Sequence, residues 1–122
     1  MRYLCLIYLD EHAMAELPQA EMNDLNVQHL ALNEGLRANG KLVEASALES
    51  SAKAVRLRAR SGRRTIVDGP FTETKELVAG FYLIEADDMQ EAIGIASRFP
   101  SAPLATIEVW PTRELQIDGG SG

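Results

Sequence analysis

Two strand-like runs in the middle of the chain are separated by one unusual stretch, Asp68-Gly69-Pro70-Phe71-Thr72-Glu73-Thr74-Lys75-Glu76. It holds a carboxylate, a Gly-Pro pair, one bulky aromatic residue and a cluster of charges. Proline fixes its own φ and pushes the preceding residue out of the helical region, so the Gly-Pro pair predicts a stiff bend that aims Asp68 and Phe71 in set directions. Asp68 has two interpretations: a turn residue whose carboxylate bonds nearby backbone amides, or a functional group.

The pattern on both sides of this stretch predicts strands and two helices. A stripe of mostly apolar residues at spacings of three and four predicts a helix from Pro18 to Asn39-Gly40. A second helix is predicted after Asp88, which stands at an N-cap position three residues before Glu91. Residues 10–17 read as a polar loop, and strands are predicted over 2–9, 41–48, 54–60, 63–67, 77–85 and 105–110. The order of these elements predicts an α+β fold with two helices on one face of an antiparallel sheet.

Two of the predicted strands, 2–9 and 77–85, are apolar at almost every position. A strand of this kind is covered on both of its faces. Two helices in a chain of 122 residues cover only one face of the sheet. We therefore expect a second copy of the chain to cover the other face, which predicts a homodimer.

His29 is the one polar member of the helical stripe, whose other members are Met22, Leu25, Leu32 and Leu36. One interpretation is a core histidine that is hydrogen-bonded to the backbone or to a carboxylate. The other is a functional imidazole that faces a pocket between the helix and the sheet. A histidine titrates near pH 6.5 and can accept or donate a proton at neutral pH.

The composition limits the classes of partner. The net charge of −6 disfavours nucleic acid, because phosphate binding requires clustered lysines and arginines. The apolar runs are far shorter than the roughly 20 residues of a membrane-spanning helix, so no membrane partner is expected. The single cysteine, Cys5, excludes an intrachain disulfide and fits a cytoplasmic protein. We expect no metal or other cofactor, since no cysteine-rich or histidine-rich ligand spacing is present.

One basic cluster departs from the acidic balance of the chain. Five arginines stand within nine residues. The first three alternate with apolar residues in the strand over 54–60, which predicts a half-buried strand in a hairpin. The cluster is either the solvated face of this hairpin or a clamp for an acidic ligand. Its members are Arg56, Arg58, Arg60, Arg63 and Arg64.

The Asp-Gly-Pro-Phe motif followed by Thr-Glu-Thr-Lys-Glu resembles the signature of the YCII-related, or DGPF-motif, family. Residues 1–8, 29–36 and 80–84 are similar to the first strand, the first helix and the strand after the motif in that family. The resemblance implies a ferredoxin-like βαββαβ core with an extra hairpin, assembled as a dimeric α/β barrel. It covers a single domain over residues 1–115, and we expect a flexible tail over 116–122.

The same resemblance implies a functional pair made of the helix histidine, His29, and the motif aspartate, Asp68. A carboxylate bonded to one ring nitrogen fixes the tautomer and stabilises the imidazolium, which suits proton transfer. We expect an isomerisation or elimination next to a carbonyl of an unidentified small molecule. Further ligand-binding positions are assigned to Asn33, Gly69, Pro70, Phe71, Thr72 and Lys75.

Two of these positions have a structural alternative. Phe71 is either a wall of the pocket or part of the core. Lys75 either neutralises an anionic ligand or pairs with Glu73 or Glu76 on the surface. A different class of function also stays open. Family members occur in association with alternative sigma factors, which implies a non-catalytic, ligand-sensing or accessory dimer linked to transcription regulation.

Overall fold

The computed structural model describes residues 1–70 and 75–117. The predicted positions Phe71 and Thr72, and the predicted tail from residue 118 onward, lie outside these residues. The elements in chain order are β1 Arg2–Asp10, α1 Glu11–Ala15, α2 Gln19–Ala38, β2 Leu42–Ala47, β3 Val55–Arg60, β4 Arg63–Asp68, β5 Glu76–Glu85, α3 Met89–Ala96 and β6 Thr106–Pro111.

Four strands form the main sheet, in the order β2-β5-β1-β6, and every neighbouring pair is antiparallel. Alternate residues of β1 are buried on one face, where the helices α2 and α3 pack. The core on this face consists of Tyr3, Cys5, Ile7, Leu9, Leu36, Tyr82, Ile84, Ala86, Ala92, Ile95, Ala96 and Phe99. The predicted α+β fold is confirmed.

The opposite face of the main sheet is apolar and only partly covered. Leu4 and Leu6 of β1 lie beside Leu83 and Phe81 of β5, and all four side chains are partly buried in the single chain. Trp110 of β6, opposite Leu4, is 55% exposed. We call this surface the open sheet face.

The strands β3 and β4 form a separate two-stranded sheet, which we call the hairpin arm (residues 55–68). The prediction of a half-buried strand is wrong for the single chain, since every residue of β3 and β4 is exposed. The physical reason is that, among residues 1–70 and 75–117, the two strands of the arm pair with each other and not with the main sheet. The apolar residues of the arm are therefore exposed in the single chain.

The segment predicted as a polar loop over 10–17 contains the short helix α1 instead. The Asp10 carboxylate accepts hydrogen bonds from the backbone N–H groups of His12 and Ala13, which satisfies the first turn of this helix. The predicted cap at Asp88 is confirmed, because its carboxylate accepts from the Glu91 backbone N–H at 2.9 Å. None of the helices in residues 1–70 and 75–117 is long and apolar enough to span a membrane.

Candidate functional site

His29 lies on the side of α2 that faces the sheet and is partly buried. Its ring nitrogen Nδ1 is 2.8 Å from the hydroxyl oxygen of Tyr82. Tyr82 stands in the middle of β5, opposite Cys5 on β1 and Ala45 on β2, and is 4% exposed. The periodicity of the helix and the alternation of the strand therefore bring these two side chains together.

Asn33 completes a chain of hydrogen bonds. It follows His29 by one helical turn, and its Oδ1 accepts a hydrogen bond from the Tyr82 hydroxyl at 2.5 Å. A hydroxyl has a single proton, so Tyr82, which donates to Asn33, accepts at His29. His29 Nδ1 therefore carries a proton, and Nε2 of the neutral ring is left with a lone pair.

The electrostatics of burial support this state. Burial lowers the pKa of His29 below its ordinary value of 6.5, because a partly desolvated site disfavours the imidazolium. Burial raises the pKa of Tyr82 to about 12, so its phenol stays protonated. At neutral pH the pair is a neutral imidazole beside a neutral phenol, and the imidazole is in the form required of a base.

The ring of Tyr82 is held by the core. It stacks on Phe99 with ring centroids 4.2 Å apart and an interplanar angle of 25°. Phe99 is 1% exposed. Because close-packed rings of this kind have little freedom to move, the Tyr82 hydroxyl presents a fixed partner to His29.

The sequence singled out His29 and Asn33 as candidates but not Tyr82, which read as one more apolar strand residue. A usable signal was present. A tyrosine buried in a strand needs a hydrogen-bond partner for its hydroxyl, and the facing helix carries two polar residues one turn apart. Together these observations predict a contact of the observed kind.

The Asp-Gly-Pro bend of the sequence lies at the root of the hairpin arm. Asp68 is the last residue of β4, faces Val55 across the arm and is exposed. The next residue, Gly69, donates its backbone N–H to the Ala54 carbonyl at 2.7 Å. A Cβ at Gly69 would lie 2.0 Å from the Ser51 carbonyl oxygen, so only glycine fits here. A cis peptide bond joins Gly69 to Pro70.

The loop before the arm is fixed by Glu11 of α1. The Glu11 carboxylate accepts from both the backbone N–H and the hydroxyl of Ser51, each at 2.8 Å. These bonds lower the pKa of Glu11. Glu11 therefore holds Ser51 in place, and the Ser51 carbonyl oxygen lies against Gly69 at the arm root.

His29 and Asp68, the two residues of the predicted pair, lie on different elements, α2 and β4. Within residues 1–70 and 75–117, no hydrogen bond or ion pair joins His29 to Asp68, and the described partner of the imidazole is Tyr82. The pairing of His29 with Asp68 stays a prediction. Lys75, which the sequence paired with Glu73 or Glu76 or with a ligand, forms an ion pair with Asp10 at 3.7 Å across an exposed surface.

A cleft of about 290 Å³ opens beside the arm root. Most of its wall is apolar and includes Leu48, Leu77 and Val78, and Ala54 and Ser51 connect it to the Gly69 position. Lys53 and Glu49 also line the cleft and form an ion pair at 3.2 Å. His29 does not line this cleft.

The fold and the site define an α+β protein with an antiparallel four-stranded sheet and a polar chain between helix and sheet. The chain belongs to the YCII-related domain family, whose model matches residues 1–116. It is 34% identical over 110 residues to an uncharacterized protein of Rhizobium meliloti (strain 1021), covering 87% of this chain and 86% of the relative. The predicted family resemblance is confirmed.

A solved structure shares the fold. It is the 5-chloro-2-hydroxyhydroquinone dehydrochlorinase TftG of Burkholderia phenoliruptrix AC1100, in complex with 2,5-dihydroxybenzoquinone. The two chains superpose with a TM-score of 0.55 over 93% of this chain and 94% of the other, at 20% sequence identity. The similarity extends over almost the whole length of both chains and concerns their fold.

Proposed function

We propose that this protein is a small-molecule enzyme in which His29 transfers a proton in an isomerisation or elimination next to a carbonyl. The observation that carries the proposal is the hydrogen-bond chain from Asn33 through Tyr82 to His29. It leaves Nε2 of a neutral imidazole as the proton acceptor. A partly buried histidine in this state is suited to act as a general base.

In the proposed reaction, the hydrogen-bond chain also keeps the His29 ring oriented. When Nε2 takes a proton from a carbon next to a carbonyl, the ring becomes an imidazolium. Its Nδ1–H stays bonded to the Tyr82 oxygen, so the ring keeps its orientation while it holds the proton. The proton then returns to a different carbon in an isomerisation, or a leaving group departs in an elimination. A positioned base of this kind contributes typically ~10²–10⁴-fold in rate.

The fold similarity supports the same class of reaction. The structurally similar protein is a dehydrochlorinase with a quinone in its structure, and a dehydrochlorination requires a base to accept a proton. We therefore propose small cyclic compounds with hydroxyl or carbonyl groups as the first substrates to examine. Shared fold alone permits many chemistries, so the site residues carry the proposal.

Asp68 enters the proposal as a second functional group. The motif that contains it implies a His–Asp pair, and its position at the arm root places it on an exposed surface. We propose that Asp68 acts on the bound ligand together with His29. Its contribution is separable from that of the Tyr82 chain by the variants described below.

We also propose the ferredoxin-like dimeric α/β barrel implied by the family. The open sheet face supports it, because Leu4, Leu6, Phe81 and Leu83 present a continuous apolar centre on one side of the sheet. Sheets that pack face to face bury surfaces of this kind. A second copy would then cover the face that the helices of its own chain do not reach.

The site is tested by ligand binding and by proton exchange. A thermal-shift screen of small carboxylates, phenols and quinones is followed by NMR detection of deuterium incorporation from D₂O into each ligand. We expect His29→Gln to abolish exchange and Tyr82→Phe to slow it about tenfold or more. The matched control is His12→Gln, since His12 is exposed on α1.

Three outcomes separate the parts of the proposal. Unchanged exchange in His29→Gln removes the proposed base. Loss of exchange in Asp68→Asn with wild-type behaviour of Tyr82→Phe favours the His–Asp pair over the Tyr82 chain. A ligand-induced shift that depends on His29 without any exchange or turnover favours the ligand-sensing alternative.

A further inference from the structure

The hairpin arm exposes apolar side chains that a single chain leaves uncovered. Val55, Leu57 and Ile66 share one side of the arm, with Leu57 directly opposite Ile66. They are 59%, 58% and 53% exposed. A two-stranded hairpin by itself is marginally stable in water, so an arm of this composition needs a surface to pack against.

The arm is also strongly basic in an acidic protein. Residues 55–68 carry five arginines and one aspartate, a net charge of +4, so the rest of a chain with net charge −6 carries −10. Arg60 and Arg63 are directly opposite each other, and like charges in that arrangement repel. The surface that the arm prefers is therefore acidic as well as apolar.

The open sheet face offers both properties on the edge strands of the main sheet. Glu44 on β2 flanks the apolar centre on one side, in register with Leu83. Glu108 on β6 flanks it on the other side, in register with Leu6. The Glu108 carboxylate is held on this face by hydrogen bonds from Tyr8 and Trp110, each at 3.1 Å.

We propose that the arm of one chain packs against the edge of the open sheet face of a second copy, so that each subunit clasps the other. The apolar side of the arm also carries Arg64, opposite Ala59. This side extends the partner's apolar centre, and Arg64 approaches Glu44 or Glu108 at its rim. A two-fold axis makes the contact twice, because each chain has one arm and one open face. Nucleic acid is a poorer occupant, since the body of the chain would repel phosphates.

The proposal rests on the proposed dimer and is independent of His29 chemistry. It is tested by the dimer dissociation constant, measured by sedimentation equilibrium. The arm variant is Arg64→Glu, since Arg64 lies on the apolar side of the arm. Its control is Arg37→Glu, which changes the net charge equally at an exposed position of α2.

We expect the arm variant to weaken the dimer about tenfold more than the control, because an ion pair is lost and a like-charge contact is made at two equivalent sites. Adding Glu44→Arg/Glu108→Arg to the arm variant should recover part of this loss, since the charges are then exchanged. Equal dissociation constants for the arm variant and the control would overturn the clasp.

Amide hydrogen exchange gives a second readout that does not depend on any substitution. The backbone amides of β3 and β4 should exchange more slowly above the dimer dissociation constant than below it. Dimers whose arm amides exchange at the monomer rate would overturn the clasp and leave the open-face dimer standing. A protected arm in a protein without His29-dependent proton exchange would support the clasp and remove only the proposed enzyme.

Discussion

At the scale of single residues, the protonation of His29 is set by its neighbours on the sheet. Tyr82 donates its only proton to Asn33 and accepts from His29 Nδ1, while Phe99 fixes the phenol ring by stacking. Burial lowers the pKa of the imidazole and raises that of the phenol. The two shifts act in the same direction, toward a neutral pair.

The lowered pKa of His29 predicts a pH dependence of stability. The unfolded chain protonates His29 near pH 6.5, whereas the folded chain does so at a lower pH. As the pH falls below about 6.5, the unfolded state takes up the proton first, so the free energy of unfolding falls until the folded pKa is passed. Well above pH 6.5 neither state binds this proton, and His29 contributes no pH dependence.

Urea unfolding at pH 7.5, 6.5 and 5.5 measures this effect. We expect His29→Gln to flatten the decline between pH 6.5 and 5.5, and His12→Gln to retain it. A decline of equal size in the wild type and in His29→Gln would show that other groups cause it.

At the scale of elements, the arm root depends on one glycine. Gly69→Ala places a methyl group against the Ser51 carbonyl oxygen, and the loop is held in place by Glu11. We expect a loss of roughly 1–3 kcal/mol in the free energy of unfolding from this overpacking. The measurement is urea unfolding of the purified variant.

The matched control is Gly94→Ala in α3, where an added Cβ meets nothing within 4 Å. Alanine is the better helix former, so this variant should gain up to about 1 kcal/mol. A Gly69→Ala protein as stable as the wild type would mean that the arm root adjusts freely.

Sequence patterns were informative about elements where the information is local. Two predictions rest on residues within a few positions of each other and are followed by the structure: the stripe of α2 and the cap at Asp88. Contacts between residues far apart in the sequence were harder to predict. Lys75 pairs with Asp10 and Tyr82 with His29, and both contacts depend on sheet register and helix placement. The alternation of apolar residues and arginines in β3 also does not indicate whether this strand joins the main sheet or a separate one.

At the scale of the whole molecule, two surfaces are incomplete in a single chain. The open sheet face and the apolar side of the hairpin arm both expose residues of a kind that proteins usually bury. The proposed two-fold assembly, in which sheet faces sheet and the arms reach across, would cover both surfaces. His29 and Tyr82 lie on the other side of the sheet, so the proposed assembly and the proposed proton transfer use opposite faces.

The open sheet face gives a direct prediction about assembly. We expect the wild type to be a dimer at micromolar concentration and Leu6→Arg to be a monomer, because a charge is placed in the apolar centre of the interface. Leu30→Arg is the control, since Leu30 is 65% exposed on α2. Light scattering coupled to size exclusion measures both, and a monomeric wild type would refute the dimer.

The most direct test of the proposed base is the ring-nitrogen NMR titration of His29 in the free protein, with His29→Gln used to assign the signal. Burial predicts a pKa below 6.5, and the hydrogen-bond chain through Tyr82 predicts a neutral form that carries its proton on Nδ1. A pKa above 6.5 or a proton on Nε2 would contradict it, and a raised pKa that Asp68→Asn lowers would assign the imidazole to the His–Asp pair instead.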